Sequence, residues 1–190
     1  MQEPSANHCR RSMRDRGYLL TGLTGEARAP WPGRRRGTER VRAIIDLLNP
    51  ALPVWDLCCD HGHIGCAALE QYPVTQVVFV DKAMRTVGRL ERSLGRYSRL
   101  AGRYRMVCAD VIQMELPAPP VNFVVAGVSS RVICAFLSRL VSRRGDRIIC
   151  NTFQNAARFE ARTLAVGLAI DTSFDVATRS GIQRLWLLRT

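Results

Sequence analysis

The chain has 190 residues, of which 47% are hydrophobic and 23% are charged, proportions typical of one globular domain. They exclude a chain that is disordered throughout, and the lack of a long uncharged apolar segment argues against a membrane span and a membrane partner. The formal net charge is +12, and Lys82 is the only lysine among the 28 basic residues. This skew toward arginine is more typical of a GC-rich genome than of a physical demand, although a planar guanidinium does pair with two phosphate oxygens at once. The positive charge itself leaves two interpretations open, a polyanionic partner such as RNA and a merely basic surface.

Residues 1–37 combine arginine clusters with several prolines and glycines and have poor apolar periodicity. We expect a flexible basic extension here, followed by one domain at residues 38–190; the extension contacts RNA, is a solvated tail, or reflects an upstream start codon chosen in error. The segment lacks the apolar stretch of a secretory signal, and the seven cysteines have no CxxC spacing, so no disulfide framework is expected. Both observations predict a cytoplasmic protein in a reducing compartment.

Helical and strand patterns alternate from residue 38 onwards. The first predicted helix has apolar residues at helical spacing from Val41 to Leu48, with Thr38 as its N-cap and Pro50 as its stop. Further helices are predicted at residues 63–71, 83–94, 130–142 and 156–166. Strands are predicted at residues 53–57, 76–80, 104–107, 121–126, 147–151, 168–176 and 183–188.

The middle strands are continuously apolar, as in VVFV, FVVA and RIIC, which is typical of parallel strands covered on both faces. Only a short link at residues 177–182 separates the last two strands, so we expect them to form an antiparallel hairpin. The pattern therefore predicts an α/β fold with a mostly parallel, Rossmann-like, seven-stranded sheet and a C-terminal antiparallel hairpin.

Acidic and small residues follow three successive predicted strands. The first strand runs into the loop DLCCDHGHIG, whose cysteines and glycines are small enough for a ligand to approach the backbone, although the pattern G-x-G-x-x-G is absent. Asp81 ends the second strand, and Asp110 follows the third. Ligands of open α/β sheets bind beyond the carboxyl ends of the strands, and an acid after the second strand accepts hydrogen bonds from ribose hydroxyls. The sequence therefore predicts a cleft for a nucleoside-containing cofactor.

The fourth strand ends in the turn AGVSS at residues 126–130. Gly127 would let a flat substrate approach the backbone closely, and Ser130 is a candidate N-cap for the next helix. The alternative interpretation is an ordinary turn between a strand and a helix.

The runs DLCCDHGHIG, VVFVDKA, VCADVI, NFVVAGVSS and RIICNTF resemble the bacterial tRNA (adenine(22)-N(1))-methyltransferase (TrmK-like) family over roughly residues 39–188. The resemblance implies a class I methyltransferase fold, S-adenosyl-L-methionine as the cofactor, and RNA, specifically tRNA, as the partner. The implied cofactor-binding residues are Asp56, Cys58, Asp60, His61, Gly62, Asp81, Lys82, Asp110, Val111 and Ala126. The implied substrate-side residues are Gly127, Val128 and Ser129. Within the first set, the resemblance assigns Asp81 to the ribose and Asp110 to the adenine amine.

The sequence departs from the family pattern at several places. Cys58 stands where the family has glycine, Asn122 where it commonly has aspartate, and VSS replaces M-G-G after Gly127. The family's C-terminal helical hairpin has no counterpart before Thr190. Methyl transfer to adenine N1 needs no general base, because the N1 lone pair is free in the neutral base, so no catalytic residue is assigned.

Other interpretations of the same residues remain open. A dense set of metal-capable groups occupies the first loop, but without a second Cys/His pair no metal is expected; the set is Cys58, Cys59, His61 and His63. A nucleophilic cysteine has equally little support. A methyltransferase for a protein or small molecule, and a degenerate, non-catalytic RNA-binding module, are the alternative functions. The missing loop glycines disfavour a nicotinamide-dependent oxidoreductase.

Overall fold

A computed structural model describes residues 39–152 and 155–190 of the chain. Its helices are α1 (Glu39–Asp46), α2 (His63–Gln71), α3 (Met84–Leu94), α4 (Ser130–Leu137) and α5 (Ala156–Ala165). Its strands are β1 (Val54–Leu57), β2 (Val77–Asp81), β3 (Tyr104–Cys108), β4 (Asn122–Ala126), β5 (Arg147–Asn151), β6 (Ala169–Thr178) and β7 (Gly181–Arg189). The predicted extension at residues 1–37 and the predicted N-cap Thr38 lie outside these described residues.

The strands form one seven-stranded sheet in the order β3-β2-β1-β4-β5-β7-β6. Strands β1 to β5 are parallel, whereas β7 runs antiparallel to both β5 and β6. The predicted fold class, a mostly parallel seven-stranded sheet with a C-terminal antiparallel hairpin, is therefore confirmed. The strand order reverses between β1 and β4, which is where ligands bind in open α/β sheets.

Both faces of the sheet are covered by helices, which explains why the middle strands are apolar throughout. Helices α1, α2 and α3 pack on one face with side chains such as Phe79, and α4 and α5 pack on the other with side chains such as Phe123. Both phenylalanines are completely buried. At about 25 cal/mol per Å² of apolar surface removed from water, these two cores supply the main force that holds the sheet together.

The fourth helix and its cap differ from the sequence-based expectation. Helix α4 ends at Leu137, not at residue 142, because the backbone bonds that follow reach only three residues back, from the N–H of Arg139 to Phe136 and from that of Leu140 to Leu137. The Arg139 guanidinium donates to the backbone oxygens of Val111, at 2.7 Å, and Met114. The predicted N-cap Ser130 is already helical, and Ser129 holds the N-cap position without a side-chain cap hydrogen bond. Ser130 is 2% exposed, so burial outweighed its capping preference.

The C-terminal hairpin of β6 and β7 extends further than the adjacent strand β5. The last pair that joins β5 to β7 is Asn151 with Leu185, whereas β6 and β7 continue to pair as far as Thr178 with Gly181. The tip of the hairpin therefore projects beyond the carboxyl edge of the parallel strands. No helix among the described residues is long and apolar enough to span a membrane.

Candidate active site

The loop after β1 has an unusual backbone. Cys58 and Asp60 have positive φ angles of 56° and 47°, and Gly62 has a φ of 68°. A left-handed conformation costs most residues about 1–2 kcal/mol, but costs glycine little and is tolerated by aspartate. Position 58 therefore favours the glycine of the resembled family, and Cys58 adopts the conformation at a cost.

Two glycines allow this loop to press against the sheet and α3. A Cβ atom on Gly65 would lie 2.2 Å from Cε1 of Phe79, and one on Gly62 would lie 2.6 Å from Cδ2 of Leu90. Phe79 and Leu90 are buried, so neither can move aside freely. The small residues predicted for a close ligand approach therefore also fit the loop onto the core.

Asp56, a predicted cofactor residue, lies beneath the loop and is 3% exposed. Its Oδ2 accepts a 2.8 Å hydrogen bond from the backbone N–H of Gly65, in the first turn of α2. Burial raises the pKa of Asp56 to about 7, against the opposing effect of the Gly65 hydrogen bond; the Asp81 charge also raises it and Arg40 lowers it. Asp56 therefore anchors α2 to the end of β1 and does not face an open cleft.

Asp81 connects the ends of β1 and β2. Its Oδ2 accepts a hydrogen bond of 3.1 Å from the Asp60 backbone N–H, and its Oδ1 accepts one of 2.9 Å from Ala83 at the start of α3. A carboxylate offers about four lone-pair sites, so two backbone bonds leave Asp81 able to accept two more donors. Lys82 is exposed beside it.

Cys58 lies within the electrostatic influence of three acidic side chains, which come from β1, the end of β2 and the loop after β3. Its pKa is raised to about 11, first by burial and then by the charges of Asp81, Asp110 and Asp56, and is lowered by Lys82. Asp110 is half-buried, its Oδ1 accepts from the Ile112 N–H at 2.9 Å, and the adjacent Val111 is buried. Asp81 and Asp110 therefore lie on the same side of the carboxyl edge as Cys58, with Asp56 buried beneath them.

The same pKa weakens the interpretation of Cys58 as a nucleophile. Because its pKa is about 11, the thiol is protonated at neutral pH, and the thiolate is the reactive form. Burial also raises the pKa of Cys59, and the charge of Asp56 raises it further. Neither cysteine of this loop has the environment of a reactive thiol.

His61 is exposed at the rim of the loop, whereas His63 is half-buried at the start of α2. Nδ1 of His61 is 2.6 Å from Oδ2 of Asp60, and the His61 ring stacks on His63 with 5.6 Å between centroids. The guanidinium of Arg89, on α3, lies 3.8 Å from Oδ1 of Asp60. Within the described residues, no three His, Cys, Asp or Glu side chains are grouped to hold a metal ion.

The turn after β4 forms the second half of the edge. Gly127 has a φ of 78°, and its N–H donates to the backbone oxygen of Asn151, at 3.1 Å, at the end of β5. Ala126 and Val128 are half-buried, whereas Gly127 and Ser129 are exposed. The predicted substrate-side residues therefore form a short turn at the surface of the sheet edge.

Arg40 of α1 lies at this turn, and the sequence analysis did not identify it. Its Nη1 donates a 3.0 Å hydrogen bond to Oδ1 of Asn151 and would lie 3.4 Å from a Cβ atom on Gly127. Asn151 is buried and in turn donates from Nδ2 to the Arg184 backbone oxygen at 2.9 Å. Arg40 brings a half-buried cation to the end of β4, and burial lowers its pKa while the Asp56 charge raises it.

A cavity of about 420 Å³ lies beside this second half, between the end of β5 and the projecting hairpin. An ion pair of Arg184 Nε with Asp175 Oδ1, at 2.8 Å, forms one side, and the hydrogen bond lowers the pKa of Asp175. Thr152 and Gln183 also line the cavity, and Thr152 Oγ1 and Gln183 Oε1 are buried without a hydrogen-bond partner among the described residues. The size falls within the range of small-molecule pockets.

The asparagine that departs from the family pattern lies elsewhere. Asn122 is the first residue of β4, completely buried at the amino edge of the sheet. Its Nδ2 donates to the backbone oxygens of Asn49 and Leu52, and its Oδ1 accepts from the Asn49 N–H at 2.9 Å. Asn122 therefore fastens the loop that precedes β1 and takes no part in the candidate site.

Similar folds occur among solved methyltransferases. The TrmK tRNA m1A22 methyltransferase of B. subtilis aligns with a TM-score of 0.71 and 11% identity, over 82% of this chain and 67% of that one. M. capricolum TrmK in complex with S-adenosyl-homocysteine aligns with a TM-score of 0.68 and 10% identity, over 79% of this chain and 67% of that one. Magnesium protoporphyrin IX methyltransferase from Synechocystis with bound SAM aligns with a TM-score of 0.66 and 17% identity, over 87% of both chains. At such identities these likenesses concern the fold alone.

This chain spans different shares of these proteins' lengths. It spans about two thirds of the TrmK structures but nearly all of the porphyrin methyltransferase. No curated protein matches the sequence. Residues 38–175 match a family model described as a methyltransferase domain, which covers most of the 190 residues. The chain therefore belongs to the methyltransferase domain family.

Proposed function

We propose that this protein transfers the methyl group of S-adenosylmethionine to a ring nitrogen of an RNA base, specifically adenine N1 of tRNA. The observation that carries the substrate class is Arg40, a cation held beside Gly127 at the substrate half of the edge. A fixed guanidinium there suits a substrate that brings phosphate next to the reacting group. The net charge of +12 and the likeness to two tRNA methyltransferase structures support the same class.

The acids of the first half fit the proposed cofactor. Asp81 has lone pairs left after its two backbone bonds and accepts the ribose hydroxyls, and the half-buried Asp110 accepts the adenine amine. Lys82 and Val111 border these acids, and the loop of Cys58, Asp60, His61 and Gly62 lines the cofactor, with Asp56 fixing its base. When bound, S-adenosylmethionine supplies an electrophilic methyl group on a sulfonium.

The substrate half fits a nucleophile that needs no deprotonation. Residues 126–130 carry no carboxylate, histidine or lysine, and Asp175 on the nearby hairpin is paired with Arg184. Adenine N1 has a free lone pair in the neutral base, so the protein's contribution is to orient the base and set its approach. Gly127, Val128 and Ser129 form the turn against which a flat base lies. Because the N1 edge is hidden in paired RNA, the target base must be unpaired or flipped out.

The test is methylation of an unmodified tRNA transcript with isotopically labelled S-adenosylmethionine, followed by nuclease digestion and mass spectrometry of the nucleosides. We expect labelled 1-methyladenosine. Arg40→Gln should raise the KM for tRNA about tenfold, a loss of about 1.4 kcal/mol, and Arg42→Gln, an exposed arginine on the same helix, serves as the matched control.

Two outcomes would contradict the proposal. Label in another nucleoside would retain an RNA methyltransferase but reject adenine N1. Methylation of a small molecule or protein without RNA would reject the RNA substrate. For that second case, the 87% mutual coverage with the porphyrin methyltransferase makes magnesium protoporphyrin IX the first small molecule to include as a competitor.

A further inference from the structure

The exposed face of α3 carries arginines at one-turn intervals. Arg85, Arg89 and Arg92 lie on the helix, and Arg96 follows the C-cap Gly95, whose φ of −60° and ψ of −13° continue the right-handed turn. At 100° per residue the four fall within an arc of about 60°, and at 1.5 Å per residue they extend over about 16 Å. All four are exposed. We call these four residues the arginine stripe.

The opposite face of α3 shows why the stripe is held rigidly outward. Val87, Leu90 and Leu94 point into the core and are 6%, 3% and 0% exposed. Their burial fixes the rotation of the helix about its axis, so the arginines cannot turn toward the sheet. The stripe is therefore a permanent feature of this surface.

Little negative charge neutralises the stripe. The one acidic residue of α3, Glu91, lies about 100° around the helix from the nearest stripe arginine. Arg89 approaches Asp60 at 3.8 Å, with both side chains more than half exposed, so their attraction is weak. Within the described part of the chain, Arg85, Arg92 and Arg96 form no ion pair. Three guanidinium groups are thus available to an external anion.

The surface beside the stripe is low. Gly88 lies between Arg85 and Arg92 on the helix, and a Cβ atom there would meet only Nη1 of Arg92, at 3.4 Å. Among the described residues, no large apolar side chain lies along the stripe; the exposed Met84 is about 80° away around the helix. An elongated polyanion can therefore approach closely, whereas a lipid surface would find no apolar group to insert.

We propose that the arginine stripe binds the phosphate backbone of the RNA substrate, an inference that rests on the proposed function. The stripe begins one turn after Asp81 and is joined to the rim of the cofactor loop by Arg89 and Asp60. RNA bound along it therefore passes the mouth of the site. Contacts to phosphate set position and carry no sequence information, so the stripe contributes affinity and register, and the choice of base is made at the turn after β4.

The experiment compares two triple variants that remove equal charge from opposite faces of the sheet. One is Arg85→Gln, Arg92→Gln and Arg96→Gln; the control is Arg144→Gln, Arg158→Gln and Arg162→Gln, at exposed positions on the α4 and α5 side. Binding of a 5′-fluorescein-labelled unmodified tRNA transcript is followed by anisotropy over a range of KCl concentrations. S-adenosylmethionine titration of every variant checks that each is folded.

The stripe variant should bind tRNA about tenfold more weakly or worse at 0.1 M KCl, and its slope of log K against log salt should be shallower by about 2, from three lost phosphate contacts. In the control variant, the loss of tRNA affinity and the change in salt slope should each be less than a third of those in the stripe variant. Equal losses in both variants would overturn the stripe but leave the RNA substrate standing. A parent protein that binds S-adenosylmethionine but not tRNA would overturn both. An equal loss of affinity for polyglutamate would overturn recognition of phosphate.

Discussion

The two halves of the carboxyl edge are built in different ways. In the first half, backbone N–H groups donate to two carboxylates: the buried Asp56 fastens α2 to β1, and the half-buried Asp81 fastens the loop after β1 and the start of α3 to β2. In the second half, residues from α1, β5 and β7 meet through the chain Arg40, Asn151 and Arg184, and a cavity remains beside them. The first half is tightly packed and tolerates few changes, whereas the second leaves space and polar groups for a substrate.

The largest expected effect is at Asp56, in the tightly packed first half, and concerns the pH dependence of the free energy of unfolding. Its pKa rises from 3.8 unfolded to about 7 folded, so between these values the unfolded chain has lost a proton that the folded chain keeps, and stability falls as pH rises. The contribution is complete below about pH 4 and gone above about pH 7. Asp56→Asn retains an acceptor for Gly65 and removes this slope. Urea unfolding should give a variant-minus-parent stability that grows by up to about 4 kcal/mol from pH 4 to pH 8.

Parallel pH curves for the parent and Asp56→Asn would contradict this account. Asp175→Asn is the control, because that side chain is exposed and its pKa is lowered by the hydrogen bond from Arg184. Its pH dependence should have the opposite sign: the contribution of Asp175 is present above the ordinary carboxyl pKa and disappears as the pH falls through the lowered value.

A glycine from each half tests the difference in packing directly. Gly65→Ala would place a Cβ atom 2.2 Å from the buried ring of Phe79 and should cost about 3 kcal/mol of the free energy of unfolding. Gly127→Ala meets only the end of Arg40 at 3.4 Å, so its main cost is the φ of 78°, about 1 kcal/mol. Denaturant unfolding measures both, and equal losses would mean that the halves do not differ in tightness.

The role of the first half in binding is tested at Asp81. Under the proposed assignment, Asp81→Ala removes two hydrogen bonds from ribose hydroxyls to a charged acceptor, at about 1.5 kcal/mol or more each, so S-adenosylmethionine should bind about 100-fold more weakly. Calorimetric titration is the measurement. Asp171→Ala, which removes a carboxylate paired with Arg189 in the C-terminal hairpin, is the control and should leave the affinity unchanged. Wild-type affinity in Asp81→Ala would reject the assignment of this carboxylate.

The smallest expected effect is a gain in stability. Cys58 has a φ of 56°, at the position where the resembled family has glycine. Cys58→Gly should relieve the left-handed strain and raise the free energy of unfolding by about 1 kcal/mol, less the entropy that glycine adds to the unfolded chain. Thermal unfolding of the parent and variant measures the change. A loss of stability would mean that packing of the half-buried thiol outweighs the backbone strain.

The sequence by itself determined the sheet and the place of the acids. Continuous apolar strands that alternate with amphipathic helices require parallel strands covered on both faces, and parallel strands bring Asp81 and Asp110 to the same edge. Both inferences depend on residue patterns a few positions long, and such patterns can be read from the sequence alone. The predicted end of α4 was wrong because the apolar spacing continues past Leu137, whereas the backbone there changes to turns that reach three residues back.

Only the tertiary structure decided which residues complete the site. Arg40 and Asn151 are 111 positions apart and meet because α1 packs against α2 and β6, which brings its first turn to the end of β5. The pKa of Asp56 depends on burial, which no local pattern reveals. The arginine spacing on α3 is legible in the sequence, but its exposure follows from the core contacts of Val87, Leu90 and Leu94. The local sequence pattern determines the helices and strands, whereas contacts across the sheet determine the chemistry at its edge. The reason is that side chains far apart in sequence share a site only after the strand–helix–strand crossovers have brought the strands side by side.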